Sequence, residues 1–189
     1  MIGRRGLTVD DLDDLPEDIY YELRDGELVD RPAQLPIHQL FVMEIISALD
    51  VRDSRDHLAS HSLAVLVDPR NVPFPDVVLF AVRAACRSPV PADDVILVAE
   101  VLSAQSASVD RSLKARLYAR AGIQSYWIVD PHAARVTLSQ FELGADGAYE
   151  PVLQTDDLVT VHQPWTVTLD LPAWTAQRDR IRRVAGRDR

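Results

Sequence analysis

A seven-residue apolar run near the middle of the chain most constrains the fold. Residues 95–101 read VILVAEV, which is apolar on both faces of an extended strand except at Glu100. A strand of this kind lies inside a sheet whose two faces are both covered. An ionised carboxylate in such a place is costly unless it pairs with a cation or binds a metal. We therefore predict a covered central strand that carries a functional acid; the alternative is that Glu100 reaches solvent at the strand end.

Hydrophobic periodicity around this strand predicts a mixed α/β fold. Two helices are expected, Pro36–Leu49 with a proline at its start and 109–121 with Gly122 at its end. Strands are expected at 62–67, 76–82, 95–102 and 125–129, with antiparallel strands added at 135–143, 149–153 and 165–169. A hairpin of 19–23 and 27–29 around Asp25-Gly26 comes first, preceded by a short capped helix at 8–15. The core is thus a helix, a three-strand meander, a helix and a strand, and we expect one domain over residues 1–189.

The composition is typical of a globular protein without membrane segments. Of the 189 residues, 47% are hydrophobic and 26% are charged, so the chain can build a packed core and general disorder is excluded. There is no run of about 18 apolar residues, and residues 1–10 turn acidic where a secretory signal would become apolar. The single cysteine, Cys86, excludes an internal disulfide and a cysteine-based zinc site. We expect a cytoplasmic protein with no membrane partner.

Charge is distributed unevenly along the chain. The net charge is −9, which argues against a protein that coats nucleic acid by bulk electrostatics, but not against an enzyme whose metal ion meets the phosphate. Acids crowd residues 10–18 and arginines crowd residues 178–189, where we expect a basic C-terminal tail; the alternative is an arm that contacts nucleic acid. Lys114 is the only lysine among the 20 Lys and Arg residues, which points to a specific role for an ammonium group there.

Two acids and this lysine are expected to meet at one edge of the sheet. Asp76 begins the second strand of the meander, and Glu100 lies near the end of the third. If these strands are antiparallel neighbours, the start of one lies beside the end of the other. The helix 109–121 begins just beyond Glu100, carries Lys114 in its second turn, and returns the chain so that the next strand runs parallel. The alternatives are a loop role for Asp76 and an exposed helix surface for Lys114.

Such a cluster is suited to metal-dependent hydrolysis of phosphodiester bonds. Asp76 and Glu100 would hold Mg²⁺, with Mn²⁺ as the second candidate ion, because these ions prefer oxygen ligands. The metal would polarise the phosphate and help to make hydroxide from a bound water. Lys114 would orient that water or neutralise charge that builds up on the phosphate oxygens.

Four stretches around these residues resemble a known family. They are YELRDGEL at 21–28, PDVVLF at 75–80, AEVLS at 99–103 and DRSLKARLYARAGIQSYWIVDP at 110–131. Together they closely resemble the Uma-type putative restriction endonucleases, a family of the PD-(D/E)XK nuclease superfamily. The resemblance covers roughly residues 7–153, and the last stretch is its most specific part.

The resemblance implies a restriction-endonuclease-like fold, Mg²⁺ at Asp76 and Glu100, and DNA as the substrate. In the superfamily pattern a lysine usually follows the glutamate by two positions, but Leu102 stands there in this chain. The family's pattern moves the lysine to the following helix, which matches Lys114.

The resemblance also bears on three further positions. Glu22 matches the family's N-terminal acid and would be an additional metal ligand or a group that supports the ligands. The alternative is a surface position on the hairpin. His38 matches a frequent histidine at the helix start, for which we favour a capping or packing role. Ala104 replaces a proline that the family often has, which affects a loop and not the metal ligands.

Other motifs carry less weight. The chain has 7 glycines and no glycine-rich phosphate loop, so no nucleotide cofactor is expected. His57 and His61 are four residues apart, but they lead into an expected strand and lack the glutamate of a zinc-protease helix.

The sequence therefore favours a Mg²⁺-dependent DNA endonuclease. The alternative is a catalytically silent nuclease-fold module that binds other proteins, which the acidic balance of the chain favours. We also expect a homodimer, because cutting both strands of a duplex calls for two active sites.

Overall fold

The computed structural model describes residues 5–12, 21–31, 33–49, 55–103 and 109–186, of which 109–111 are described by their backbone only. Within these residues the α-helices are α1 (Pro36–Leu49), α2 (Val109–Arg120) and α3 (Leu171–Ala185). The strands are β1 (Tyr21–Arg24), β2 (Glu27–Asp30), β3 (His57–His61), β4 (Val65–Leu66), β5 (Val77–Ala81), β6 (Val90–Pro91), β7 (Val95–Val101), β8 (Ser125–Asp130), β9 (Thr137–Leu143), β10 (Tyr149–Thr155), β11 (Leu158–Val161) and β12 (Val167–Asp170). Short 3₁₀ helices lie at Val9–Asp11, Val82–Ala84 and Ala92–Asp94.

A six-stranded mixed sheet with the strand order β10-β9-β8-β7-β5-β3 forms the centre of the fold. Strand β7 lies between β5, with which it pairs antiparallel, and β8, with which it pairs parallel. Strands β3 and β9 pair antiparallel with β5 and β8, respectively. The mixed α/β fold is therefore confirmed, and so are the central position of residues 95–101 and the parallel strand that follows α2.

Helices cover both faces of β7, which is why its side chains are apolar on both sides. On one face α1 contributes Phe41 and Ile45 to a core that includes Trp127. On the other face Tyr118 of α2 packs in a second core with Tyr126. Within β7 only Ile96 is partly exposed, and Glu100 itself is 8% exposed. The acid is therefore buried and does not extend into solvent from the strand end.

The β1–β2 hairpin is fixed by its turn and by a contact with the segment before β5. Asp25 and Gly26 have φ values of 48° and 74°, as a two-residue hairpin turn requires. A Cβ on Gly26 would lie 2.9 Å from the carbonyl oxygen of Leu7, so glycine is needed for close packing as well. Leu23 and Val72 exchange backbone hydrogen bonds of 3.3 and 2.8 Å. This pairing holds β1 beside the start of β5.

The first strand of the meander differs from the expected 62–67. The strand that pairs with β5 is β3, at residues 57–61, and Ser62 then takes a positive φ of 52°. Residues within the apolar run that follows form β4, which pairs parallel with β6 outside the main sheet. Because β3 is an edge strand, its residues are half-buried or exposed, and its sequence lacks the apolar run on which a prediction depends.

Helix α3 differs from the expectation of a basic tail over 178–189. Asp170 caps its N-terminus by accepting the Ala173 N–H at 2.9 Å, and the side chains of Leu171 and Trp174 form its buried face together with Arg178. Arg178 is 2% exposed and occupies the buried side of the helix, so the apolar stripe is short and hard to recognise.

The expected helix at 8–15 is a 3₁₀ helix over Val9–Asp11, and its remainder lies outside the described residues.

Among the described residues, no helix combines the length and the apolar character needed to cross a bilayer.

Candidate active site

Asp76 and Glu100 lie side by side at one edge of the sheet. The antiparallel register pairs Val77 with Ala99, which places the residue before β5 beside the residue after Ala99. The Oδ2 atom of Asp76 accepts the backbone N–H of Val101 at 2.8 Å. The geometric expectation drawn from the antiparallel strands is therefore met: the two acids are neighbours.

Two side chains of α2 hold Glu100 from the same direction. The Oε1 atom of Glu100 accepts hydrogen bonds from Lys114 Nζ at 3.0 Å and from the Tyr118 hydroxyl at 2.7 Å. Lys114 and Tyr118 are four residues apart, so they lie on one face of the helix and reach the same carboxylate. Lys114 is thus not on an exposed helix surface: its side chain is 14% exposed.

Burial and charge shift the ionisation of this cluster. Burial raises the pKa of Glu100 to about 7; Lys114 opposes this shift and the negative charge of Asp76 adds to it. Burial lowers the pKa of Lys114, but the carboxylates of Glu100 and Glu22 outweigh it and leave that pKa above its usual value. Burial also raises the pKa of Tyr118 well above its usual value. At and above neutral pH the site therefore contains a lysine ammonium, a neutral tyrosine and an ionising Glu100.

His38 approaches the same edge from α1, on the opposite face of the sheet. Its Nε2 atom lies 3.0 Å from the carbonyl oxygen of Val101 and 3.3 Å from Asp76 Oδ2. Both neighbours are acceptors, so Nε2 carries the proton and donates. Burial lowers the pKa of His38, but the hydrogen bond and the charge of Asp76 outweigh it and raise that pKa above its usual value.

Glu22, on β1, is surrounded by cationic groups and is 7% exposed. Its carboxylate lies 3.8 Å from Lys114 Nζ, 3.2 Å from an Arg24 nitrogen and 4.0 Å from an Arg31 nitrogen. It also accepts the backbone N–H of Phe74 at 3.4 Å. Glu22 is therefore not on an exposed hairpin surface but links the hairpin to Lys114 and to the segment before Asp76.

One oxygen of each central carboxylate is held, and the other is left open. Asp76 Oδ2 takes the hydrogen bonds from Val101 and His38, and Glu100 Oε1 takes those from Lys114 and Tyr118. Asp76 Oδ1 and Glu100 Oε2 receive no hydrogen bond from the residues that the structure describes. Such pre-oriented carboxylates suit a hard divalent cation, which prefers oxygen ligands.

The number of side-chain ligands also bears on the kind of metal. Within the described parts of the chain, no three His, Cys, Asp or Glu side chains are arranged to hold one ion. Two carboxylates fit Mg²⁺ nonetheless, because this ion usually keeps several waters and needs only one or two protein carboxylates.

The structure thus brings together all four acidic and basic residues selected from the sequence: Glu22, Asp76, Glu100 and Lys114. It adds two that were not selected as site residues. Tyr118 had a visible signal, because it shares a helical side with Lys114. His38 contacts Asp76, which the capping or packing role favoured for it does not include.

Comparisons with known proteins bear on the family and the fold. A family model described as "Uma2: Putative restriction endonuclease" matches residues 9–177. Among solved structures, a putative nuclease belonging to DUF820 from Anabaena variabilis ATCC 29413 is similar, with a TM-score of 0.68 and 19% sequence identity. The alignment covers 89% of this chain and 99% of that one, and at this identity it shows a shared fold. No curated protein gives a significant match. Because the family model spans most of the chain, including every residue of the site described above, the chain belongs to the Uma2 family of putative restriction endonucleases.

Proposed function

We propose that this protein is an endonuclease that uses Mg²⁺, or Mn²⁺ in its place, to hydrolyse phosphodiester bonds in DNA. The observation that carries the proposal is the pair of carboxylates of Asp76 and Glu100, each held by hydrogen bonds at one oxygen and receiving none at the other from the described residues. Two such oxygens beside a lysine ammonium form a donor set for a divalent cation and a phosphate together. The family and the shared fold support a nuclease.

Asp76 and Glu100 would hold the metal through their open oxygens. When bound, the metal would polarise the phosphate and lower the pKa of a coordinated water. The positive charge would also relieve the repulsion between the two carboxylates, which contributes to the raised pKa of Glu100. Glu22 lies behind Lys114 and serves in this proposal to hold the ammonium in place.

The remaining side chains orient and charge the site. Lys114 keeps its ammonium form and is fixed between Glu22 and Glu100, so it can orient a water or neutralise charge on the phosphate oxygens. Tyr118 and His38 donate to Glu100 and Asp76, respectively, and so hold the carboxylates in one orientation. Preorganisation of this kind reduces the cost of reorganising the site during reaction.

A chain with a net charge of −9 needs local positive charge to meet DNA. Two arginines beside Glu22 provide it: the side chains of Arg24 and Arg31 are 31% and 21% exposed. Arg31 also stacks over the Phe74 ring, with its guanidinium carbon 4.3 Å from the ring centroid. These arginines lie at the rim of the carboxylate cluster, where the phosphate backbone would approach.

Cleavage of supercoiled plasmid in Mg²⁺ or Mn²⁺ tests the proposal. Asp76→Asn, Glu100→Gln and Lys114→Met should each reduce the cleavage rate by about a hundredfold or more. Asp93→Asn and Arg120→Met are matched controls at exposed positions away from the cluster and should cleave at the wild-type rate. Equal cleavage by the wild type and the three site variants would contradict the assignment.

Titration with Mn²⁺ separates the enzyme from a silent nuclease-fold module that binds proteins. For the enzyme we expect one or more sites that saturate and are lost in Asp76→Asn. A folded wild-type protein that binds no Mg²⁺ or Mn²⁺ would favour the module.

We further propose that the active form is a homodimer, since a duplex has two strands to cut. The main sheet ends at β3 and β10, which are unpaired on their outer sides among the described residues, and edge strands of this kind can pair with a second copy. Sedimentation should show a dimer at micromolar concentration. A monomer up to millimolar concentration would contradict this.

A further inference from the structure

A cavity of about 200 Å³ opens beside the carboxylate cluster. It lies where the start of α1 meets the loops that follow β7 and β8, with one side chain from α3. Since β7 and β8 run parallel, both loops leave the sheet at the edge that carries Glu100. The cavity and the candidate active site therefore share one edge of the sheet.

The walls of the cavity are apolar and its polar groups are basic or neutral. Leu35, Ile37, Phe41 and Leu102 supply apolar surface, His132 supplies an imidazole ring, and Arg182 supplies donors. Arg182 uses one guanidinium nitrogen on the carbonyl of Pro131, at 3.1 Å, and its side chain is exposed. Among the residues that the structure describes, no acidic residue lines the cavity.

The cavity is continuous with the site through His38. His38 lines the cavity, and its Nε2 atom donates toward Asp76 and the Val101 carbonyl. Leu102, the next residue along the chain, forms part of the cavity wall, and His132 Nε2 lies 3.1 Å from its carbonyl oxygen. A substrate group in the cavity would thus be separated from Asp76 by the side chain of His38. His38 Nδ1 is buried and has no hydrogen-bond partner among the described residues.

We propose that this cavity binds one unstacked nucleoside of the substrate, next to the phosphate that is cut. The inference rests on the proposed nuclease function and specifies its substrate. At about 200 Å³ the cavity is smaller than the range of roughly 300–1,000 Å³ typical of drug-sized ligands, so it suits a single ring system. Apolar walls match the faces of a base, and Arg182 matches the adjoining phosphate.

The proposal has a consequence for substrate preference. A base enters such a cavity only after it leaves the helical stack, which costs least where the strand is already unpaired. The protein should therefore cut single-stranded, frayed or mismatched DNA faster than a fully paired duplex of the same sequence.

Binding of deoxyadenosine 5′-monophosphate to the metal-free protein tests the cavity directly. In ¹H–¹⁵N NMR spectra, the amides of Ala33, Leu102 and His132 should shift and saturate as the nucleotide is added. Deoxyadenosine should shift the same amides more weakly, because it lacks the phosphate that Arg182 meets. Inorganic phosphate that reproduces the nucleotide's shifts would overturn the proposal, because it would show an anion site without a place for the base.

Two variants with matched controls locate the binding. Ala33→Trp fills the mouth of the cavity from an exposed position and should abolish the shifts, whereas Val152→Trp, the same change at an exposed position on β10, should keep them. Arg182→Gln should weaken nucleotide binding about fivefold, and Arg180→Gln on the same helix should leave it unchanged. Unchanged binding in Ala33→Trp would overturn the proposal.

Activity provides a separate readout. In Mn²⁺, Ala33→Trp should lose at least about tenfold in cleavage of a single-stranded oligonucleotide while binding Mn²⁺ as the wild type does. Nucleotide binding in a wild type that takes up no metal and cuts no DNA would refute the proposed function and leave the cavity assignment standing. Absence of nucleotide shifts in an active nuclease would refute the cavity assignment and leave the proposed function standing.

Discussion

At the scale of single residues, Glu100 determines how the site responds to pH. It is almost fully buried beside a second acid, and burial raises its pKa to about 7. Its Oε1 atom accepts hydrogen bonds from both Lys114 and Tyr118. The pKa of Glu100 therefore lies close to neutral pH, and a bound cation can compete with the proton of this carboxyl group.

Glu100 should make the metal-free protein less stable as pH rises. Its pKa is higher in the folded than in the unfolded chain, so the folded state binds more protons between about pH 4.5 and 7 and loses stability across that window. We expect the wild type to lose up to about 3 kcal/mol relative to Glu100→Gln over this range, because the amide does not ionise.

Urea unfolding at several pH values in EDTA measures this difference. Parallel stability curves for the wild type and Glu100→Gln would show that the pKa of Glu100 is not raised. With metal present we expect the opposite dependence of stability on pH. Mn²⁺ should bind more tightly as pH rises through 7, since the ion then displaces no proton from Glu100.

At the scale of elements, α2 supplies two side chains that act on one carboxylate. Tyr118→Phe removes the 2.7 Å hydrogen bond to Glu100 and keeps the ring in the core. We expect a loss of about 1–2 kcal/mol in the free energy of unfolding and about tenfold in cleavage rate.

Tyr149→Phe is the matched control for this change. The Tyr149 hydroxyl donates to the Ile123 carbonyl at 2.8 Å, away from the carboxylates, so this variant should lose comparable stability and keep full activity. Equal effects of the two variants on the cleavage rate would show that Tyr118 has only a structural role.

Helix α3 is held to the loop between β8 and β9 by a buried guanidinium. Arg178 donates to the carbonyls of Pro131, Ala133 and Ala134 at 2.8–3.1 Å. Arg178→Met should destabilise the fold by about 3 kcal/mol, because it leaves three carbonyls without this donor. Arg178→Lys should recover less than half of the stability that Arg178→Met loses, since an ammonium cannot reach three acceptors as the planar guanidinium does.

Urea unfolding measures both Arg178 variants. Arg180→Met is the control at an exposed position and should change stability by less than about 0.5 kcal/mol. A similarly small effect of Arg178→Met would show that α3 is held by its apolar contacts alone.

The element boundaries show which parts of the fold could be predicted. The bounds of α1 agree in full with the periodicity, because a long amphipathic helix repeats its pattern over several turns. The sequence predicts the first strand of the meander after the position of β3 and predicts no helix at α3, because an edge strand and a helix with a buried arginine lack a clear apolar pattern. Glu100 can be selected because it is a charge within an apolar run, Asp76 because it begins the neighbouring strand, and Lys114 because it is the only lysine.

At the scale of the whole molecule, the proposed function requires a protein of net charge −9 to approach DNA, which is also acidic. The site reconciles the two by gathering Arg24, Arg31 and Lys114 around Glu22, next to carboxylates suited to a divalent cation. Affinity for DNA should therefore depend on the metal and on a few arginines, and should fall steeply with salt.

Arg31→Gln should weaken DNA binding several-fold and lower the slope of log affinity against log salt by about 0.9, the value for one lost phosphate contact on duplex DNA. Arg116→Gln, at an exposed position on α2 away from Glu22, should leave the slope unchanged. Fluorescence anisotropy with Glu100→Gln as the non-cleaving background measures both, and equal slopes for the two variants would contradict a phosphate contact at Arg31.

The sequence by itself determined the central strand, the order of the core elements and the identity of the acids and the lysine. These follow from local patterns, since apolar runs, turn residues and a charge within an apolar run are legible in a single stretch of chain. Only the tertiary structure decided which oxygen of each carboxylate is held, that His38 reaches Val101 across 63 positions, and that α1, α3 and two loops enclose a cavity beside the site. Such contacts depend on how separate elements pack together, and no local pattern records that packing.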